Sequence, residues 1–498
     1  MSDFYWLWIW FMWKKFHIIT LGCQMNYADS VRIKSVLTNC GFEYVDNEDE
    51  AEILIFDTCS VRQKAEDKIT WSLKDVKKDK KIWITGCMVQ HNFRNILKKN
   101  TPNQFKRGNF LWTTEWNQIK VYWAENEEIK ELIDHKQTSL ENMVFINHAF
   151  NPLFFNLKQT YPNLELCFRI DDTGFLPLML EKIWYEWLKY DIELLNEYER
   201  IIPDENANMS DHQTTAYVPI STWCNQFCSY CIVPYARWLE RYFRVEQVVN
   251  EVKSHLEKWA KEIVLLGQIV NKHPDFLTIL KEVLKLDWLE WLRYTSPYPT
   301  YYSDELLALH ENEEKLCPHI HIPFQSGSDE VLKRMFRGYK AEDCFNFVEK
   351  IQKLKRKISI TTDMIIWFSW ETDSDFDESL RLVNVWKFDM IYMGIYSPRP
   401  WTFAYKQLKD DVSAKIKHER WEKMNELLKR WSQENNKAEI WGIRKVLIDE
   451  IKWDEWFGHT DNMKQIWWKM EWRLLKSGEF TNVKIIDSWE FKLVGEIM

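Results

Sequence analysis

Apolar positions along the chain switch repeatedly between two patterns, short apolar or alternating runs that predict strands and helical spacing that predicts helices. The run from Phe16 to Leu21 reads as a strand and stops at Gly22-Cys23. Residues 28 to 40 carry apolar side chains at helical spacing and end at Gly41, a natural helix C-cap. ILIFD at 53 to 57 predicts a second strand running into Thr58-Cys59. A charged helical segment, 62 to 79, then leads to KIWIT at 81 to 85 and to Gly86-Cys87. A βαβαβ order implies parallel strands with right-handed crossovers. Each strand therefore delivers one cysteine at its carboxyl end, the end at which open α/β sheets place ligands.

The alternation resumes at Tyr217. Strands are predicted at 217 to 221, 263 to 267, 292 to 295, 319 to 324, 358 to 366 and 390 to 396. Helices fall between them at about 245 to 259, 276 to 286, 303 to 311, 328 to 337, 342 to 355 and 374 to 386. Six β/α repeats are too few for a closed eight-stranded barrel, and an open partial (β/α)6 barrel fits. A charged helix at about 411 to 435 follows, with Asn435-Asn436 as a hinge. The short runs VLIDEI, KQIWWKM, NVKIID and FKLVGEI then read as strands of a small β-barrel. The fold class is thus α/β in four parts: an N-terminal open parallel α/β sheet at 15–109, an acidic insertion or linker at 110–212, the partial barrel at 213–435 and the small barrel at 436–498. The insertion shows helical segments around 176 to 198, and Cys167 within it reads as a core residue.

Length and charge narrow the setting. A chain of 498 residues accommodates two to four domains. The net charge of -9 is local, because residues 111 to 212 hold 19 Asp and Glu against 8 Lys and Arg. The remainder is close to neutral, so charge neither supports nor excludes an RNA partner. The aromatic opening from Phe4 to Trp13 is roughly half a membrane span, and its lysines follow the apolar run, so neither a span nor a secretory signal is expected. Ten cysteines in such a chain point to a reducing cytoplasm, where thiolates bind metal and do not pair.

The cysteines carry the chemistry. Cys224, Cys228 and Cys231 form a Cys-x3-Cys-x2-Cys run within STWCNQFCSYCIVPYAR. Three thiolates so close in sequence can hold three irons of a cubane cluster and leave the fourth iron for a small molecule. A structural zinc site more often shows paired Cys-x2-Cys units with four ligands in total. The run resembles the signature of radical S-adenosylmethionine (SAM) enzymes, in which SAM chelates the open iron. The cysteines at the three N-terminal strand ends could meet at one sheet edge, although isolated cysteines after strands are commonly only buried. The wording around them, LGCQMNYADS, DTCSVRQKAEDK and TGCMVQ, resembles the N-terminal domain of the radical-SAM methylthiotransferase family.

That resemblance covers residues 15 to about 108 and 213 to 498, and it implies two [4Fe-4S] clusters. Cys224, Cys228 and Cys231 would hold the catalytic one and Cys23, Cys59 and Cys87 an auxiliary one that carries sulfur, both facing one cavity. Gln24-Met25-Asn26 and Ser60-Val61-Arg62 look like the branch that methylthiolates carbon 2 of isopentenylated adenosine beside the tRNA anticodon. The rival readings are the same chemistry on threonylcarbamoyladenosine or on a ribosomal protein, or an inactive iron–sulfur RNA-binding protein. Polar residues at the strand ends match family motifs in order and are candidate SAM and substrate ligands: Gln268, Asn271, Arg293, Gln325, Glu371 and Arg399. The C-terminal barrel resembles the TRAM module, which implies RNA contacts from Lys464, Lys469, Arg473 and Lys476. Expected partners are a tRNA anticodon loop and a flavodoxin- or ferredoxin-type reductant, with a monomer as the expected state and no membrane. Tyr298 in SPYP, where histidine is common, is a mild departure from the family.

One compositional feature changes the picture. The chain has 29 tryptophans and only 13 glycines, well under half the usual share of roughly 7% glycine. Trp223, Trp238, Trp259, Trp367, Trp370 and Trp401 stand where the family pattern has glycine. A bulky residue resists positive φ and fills space where backbone must approach a ligand. Recoding would explain these departures together, as expected if a UGA codon that means glycine is read as tryptophan.

Overall fold

A computed structural model of the chain describes residues 14–61, 63–90, 109–115, 118–124, 157–182, 201, 214–236, 240–258, 260–452, 455–469 and 475–498. The chain divides into two compact units, 1–210 with 235–237, and 211–234 with 238–498. Trp238, Trp259, Arg62, Arg473, the aromatic opening and the end of the helical stretch expected to 198 lie outside the described residues.

In the first unit β1 (Lys15–Leu21), β2 (Glu43–Tyr44), β3 (Ile53–Thr58) and β4 (Lys81–Gly86) run parallel. β3 lies in the middle of the sheet, and all six of its residues are buried, which is why its sequence is a continuous apolar run. Between β1 and β2 the helix Gln24–Asn39 packs back on the sheet and ends at Cys40, just before Gly41 at φ 89°. Asn109–Glu115 (β5) and Gln118–Ala124 (β6) form an antiparallel hairpin.

The stretch 110–212, expected as an acidic insertion or linker, contributes in part to the sheet. Leu164–Cys167 (β7) adds a fifth parallel strand beside β4, giving the order β2-β1-β3-β4-β7. Glu165 secures that edge, its carboxylate accepting from Lys81 Nζ at 2.7 Å and Trp83 Nε1 at 2.9 Å. Cys167 is 1% exposed, in the core.

The second unit begins with Thr215–Pro219 (β8), followed by the short antiparallel pair Ser221–Thr222 (β9) and Arg241–Tyr242 (β10). Glu262–Leu266 (β11) and Trp291–Tyr294 (β12) complete a parallel sheet in the order β12-β11-β8. His319–His321 (β13), Ser359–Ile366 (β14) and Met390–Ile395 (β15) form a second parallel sheet. The expected six-stranded arc is present but not as one unbroken ladder. Residues 315–317 make the join, with Leu292 N donating to Lys315 O at 2.8 Å and Cys317 N to Leu292 O at 3.0 Å. Ile320, Ile322, Phe324, Met364 and Trp367 lie in the core behind the second sheet.

The C-terminal barrel closes with five strands: Ile443–Lys452 (β16), Glu455–Thr460 (β17), Gln465–Lys469 (β18), Phe480–Ser488 (β19) and Lys492–Ile497 (β20). Four were legible as alternating runs, and β17 was not. Asn436 is no hinge: it is 3% exposed, and its amide donates to the carbonyls of Trp489 at 3.1 Å and Glu490 at 3.2 Å. The helix Ala414–Lys437 is therefore fastened to the barrel that follows it.

Candidate functional site

The register of the N-terminal sheet brings its three cysteines to one edge. Leu21 pairs with Thr58 and Thr58 with Gly86, on strands about 4.8 Å apart. Cys59 and Cys87 are the next residues, and Cys23 follows Leu21 by two as the N-cap of the helix Gln24–Asn39. Two glycines permit this crowding. A Cβ on Gly86, at φ 95°, would lie 2.2 Å from Thr58 O, and one on Gly22 would lie 2.1 Å from Asn26 Oδ1.

Beneath the thiols lies a buried polar web. Asn26 Nδ2 donates to Asp57 Oδ1 at 2.8 Å and Thr58 O at 3.2 Å, while its Oδ1 accepts from Cys23 N at 3.2 Å. Ser30 Oγ donates to the other oxygen of Asp57 at 3.1 Å, and Thr58 Oγ1 donates to Thr85 O. Asn26 and Asp57 thus fix the turn bearing Cys23 against the strand bearing Cys59. Asp57 escaped the sequence reading, because in ILIFD it looks like the polar end of a strand.

Among the described residues no three His, Cys, Asp or Glu side chains converge as they would on a single ion. A cubane asks for something else, since each cysteine binds a different iron at a different corner. Three thiols on neighbouring strand ends, two of them 6% exposed, fit such a group in donor type and placement.

In the second unit the run after β9 is held by backbone contacts to a distant helix end. Ser229 N donates to Met335 O at 3.0 Å and Ser229 Oγ to Arg334 O at 2.6 Å, while Cys231 N closes a turn on Cys228 O at 3.0 Å. Burial pushes the Cys224 thiol up to about 11, against the lowering effect of Gln226 N, which donates to its sulfur at 3.4 Å. Burial and then the neighbouring Cys228 push the Cys231 thiol well up, with Cys224 adding to the effect. The three sulfurs are therefore near enough to oppose one another's ionisation. Without a metal the Cys224 and Cys231 thiols keep their protons, and a cation that replaces those protons relieves the repulsion. The donor set fits an iron cluster on those grounds.

Arg337 is a residue that spacing alone did not reveal. Its Nη1 lies 3.5 Å from Cys228 Sγ, and its guanidinium stacks over Tyr298 and Tyr339, centroids 4.6 and 4.9 Å away. Tyr298 is held in turn, its hydroxyl accepting from Gly338 N at 2.8 Å.

The six polar strand-end residues divide. Gln268 is half-buried after β11. Gln325 has φ 73° and is 8% exposed, and its amide group has no hydrogen-bond partner among the described residues. Arg399 is 4% exposed beyond β15, its carbonyl accepting from Thr402 Oγ1 at 2.7 Å. Asn271 clamps the Tyr298 backbone, donating to its carbonyl at 3.0 Å and accepting from its N–H at 2.8 Å, so its amide is not free to read a ligand. Arg293 also differs from expectation. Its Nε donates to Glu262 at 2.5 Å and its two terminal nitrogens to Asp461 O and Thr460 O at 2.7 and 2.9 Å, so it ties β12 to the C-terminal barrel.

Glu371 is buried, and burial raises its carboxyl to about 7 against the lowering effects of Trp367 N, donating at 2.8 Å, and Arg420, donating at 3.2 Å. Because its folded value lies above the unfolded one, the native state takes up the proton more readily, and burying the anion costs stability as pH rises toward 7. Arg420→Met should therefore destabilise the protein by about 3 kcal/mol at pH 8 and clearly less at pH 6, as urea unfolding at the two pH values will read.

Of the barrel lysines expected to meet RNA, Lys469 and Lys476 are exposed. Lys464 is corrected: it is 8% exposed, its ammonium donating to Asp389 at 2.7 Å and Asn436 Oδ1 at 2.8 Å. It secures the barrel to the central domain.

Residues 15–106 match the family described as uncharacterized protein family UPF0004, and residues 218–383 match the Radical SAM superfamily. The chain is 30% identical to the tRNA-2-methylthio-N(6)-dimethylallyladenosine synthase of Aquifex aeolicus, over 97% of this chain and 99% of that one. It is 31% identical to the protein of the same name from Caldicellulosiruptor saccharolyticus, over 97% and 93%. Among solved structures, a radical S-adenosylmethionine methyltransferase from Kitasatospora setae is similar at a TM-score of 0.44 and 12% identity, covering 79% of this chain and 77% of that one.

Proposed function

The chain belongs to the family of tRNA-2-methylthio-N(6)-dimethylallyladenosine synthases, and from that premise we propose that it methylthiolates carbon 2 of N6-isopentenyladenosine beside the tRNA anticodon. The observation that carries this is the pair of cysteine trios, one at the aligned strand ends of the N-terminal sheet and one in the Cys-x3-Cys-x2-Cys run, within a chain that matches its relatives nearly end to end.

Cys224, Cys228 and Cys231 would hold one [4Fe-4S] cluster, and Cys23, Cys59 and Cys87 a second. With SAM these groups supply one-electron chemistry and a sulfur donor for an unactivated aromatic C–H, which acid and base side chains cannot reach. The chain's own residues orient and enclose. Asn26 and Asp57 hold the Cys23 turn to β3, and Arg337 places a positive charge beside Cys228. Gln268, Gln325 and Arg399 remain the strand-end groups offered to SAM and substrate. Lys469 and Lys476 offer phosphate contacts from the barrel, and the substrate base, in a single-stranded loop, leaves its stack at low cost.

A tRNA substrate, a flavodoxin- or ferredoxin-type reductant, a monomeric state and a cytoplasmic setting complete the reading. None of the ten cysteines is in a disulfide, which supports the reducing setting, and no described helix is long and apolar enough to cross a membrane. The test is nucleoside mass spectrometry after incubating the iron- and sulfide-reconstituted full chain with SAM, dithionite and, in parallel reactions, isopentenylated or threonylcarbamoylated tRNA. A methylthio product on that nucleoside is expected. A product formed only on threonylcarbamoyladenosine would move the assignment to the other tRNA branch.

A further inference from the structure

Twelve non-glycine residues among the described ones have φ in the left-handed region, and six of them are tryptophan. They are Trp223 (φ 70°), Trp288 (63°), Trp367 (68°), Trp370 (62°), Trp401 (79°) and Trp441 (71°). Tryptophan makes up 29 of 498 residues, a share that would place fewer than one among the twelve. Glycine, the residue made for this conformation, contributes only Gly41, Gly86 and Gly478. A left-handed backbone brings Cβ against its own carbonyl, so a large side chain there is a true outlier.

At three of the six positions burial does not offset this strain. Trp288 and Trp441 are each 70% exposed and Trp370 is 46% exposed, so much of each indole stands in water at a turn. Other tryptophans behave as the residue should. Trp291, Trp456 and Trp468 lie on strands and Trp431 on the helix Ala414–Lys437, all buried and none at positive φ. Trp291 meets the ring of Phe480 edge-on at 4.6 Å, and Trp456 stacks on Trp468 at 6.2 Å.

We propose that UGA is translated as glycine in the organism that carries this gene, and that positions 223, 288, 367, 370, 401 and 441 are glycine in the native polypeptide. Positions 291, 431, 456 and 468 are tryptophan, encoded by UGG. Trp288 and Trp441 are identified by backbone conformation alone. The other four also stand at glycine positions of the sequence motifs. Glycine at 223 and 367 removes two buried indoles, one next in sequence to Cys224 and one whose backbone N–H binds Glu371, and leaves room for a ligand there. The inference does not depend on the activity proposed above.

Tandem mass spectrometry of the protein isolated from that organism, read beside its gene, decides the matter. Peptides should carry glycine at the six positions, over UGA codons, and tryptophan at the four strand and helix positions, over UGG. Tryptophan at 223, 367 or 401 in the native peptides, or UGG codons at the six, overturns the proposal. A second measurement needs no native source. A recombinant chain with Trp288→Gly, Trp370→Gly and Trp441→Gly loses little burial and relaxes three left-handed residues, so its melting temperature should rise by several degrees. An unchanged or lower melting temperature counts against the proposal.

Discussion

A Cys59→Ala protein should still cleave SAM to 5′-deoxyadenosine but yield no methylthiolated nucleoside, with product falling by about 100-fold or more. Loss of a residue that merely supports a metal ligand commonly costs about 10- to 100-fold, and loss of a ligand itself costs more. The separation of the two readouts follows from the architecture. Cys59 directly follows β3 in the first compact unit, whereas Cys224, Cys228 and Cys231 belong to the second. Replacing Cys59 disturbs the strand-end trio and leaves untouched the contacts of Ser229 with residues 334 and 335 that hold the other run. Both products can be quantified in one reaction. Methylthiolated nucleoside still forming in the mutant would show that sulfur does not come by way of the N-terminal cysteines.

How much of this was legible differs by element. The strands of the first sheet were plain, because a strand buried on both faces must be apolar throughout, and Gly-Cys marks two of the carboxyl ends. β7 was not. LELC is four residues long in an acidic stretch, and what makes it a strand is the free edge of β4 together with Lys81 and Trp83, which accommodate Glu165. β17 was hidden for a similar reason, since EWFGHT carries no clean alternation and is fixed by its neighbours on both sides.

The site shows the same division. Cysteine spacing is local and could be read. The roles of charged residues depend on partners far away in sequence, and there the reading failed. Arg293 looked like a ligand at a strand end, but Thr460 and Asp461, over 160 positions further along the chain, take up its guanidinium. Lys464 looked like a phosphate contact, but Asp389 claims it. Asn271 stood at the right strand end, yet its amide is spent on the Tyr298 backbone. Both of the misplaced cations hold the C-terminal barrel to the central domain, which makes that joint more ionic than the sequence suggests.

The joint should consequently lose stability as pH rises from about 6.5 through 9. His459, on β17, is 5% exposed, with Nδ1 2.8 Å from Asp449 and Nε2 3.2 Å from Glu262. Burial favours the neutral ring, but the hydrogen bonds and charges of these two carboxylates outweigh it and raise the imidazole to about 9. Glu262 is also opposed by burial, and Arg293 with His459 nevertheless holds its carboxyl well below the usual range, so it stays ionised throughout. A histidine whose folded value exceeds its unfolded one contributes stability that is complete below pH 6.5 and is lost as pH climbs through the folded value. The shift corresponds to roughly 3 kcal/mol. Urea unfolding between pH 6 and 10, followed by tryptophan fluorescence, should show that decline in the parent and a flatter profile in His459→Gln. The difference between the two proteins isolates this group from cysteines and tyrosines that ionise at higher pH. If His459→Gln keeps the parent's full dependence, the imidazolium between Asp449 and Glu262 is not what fastens the barrel.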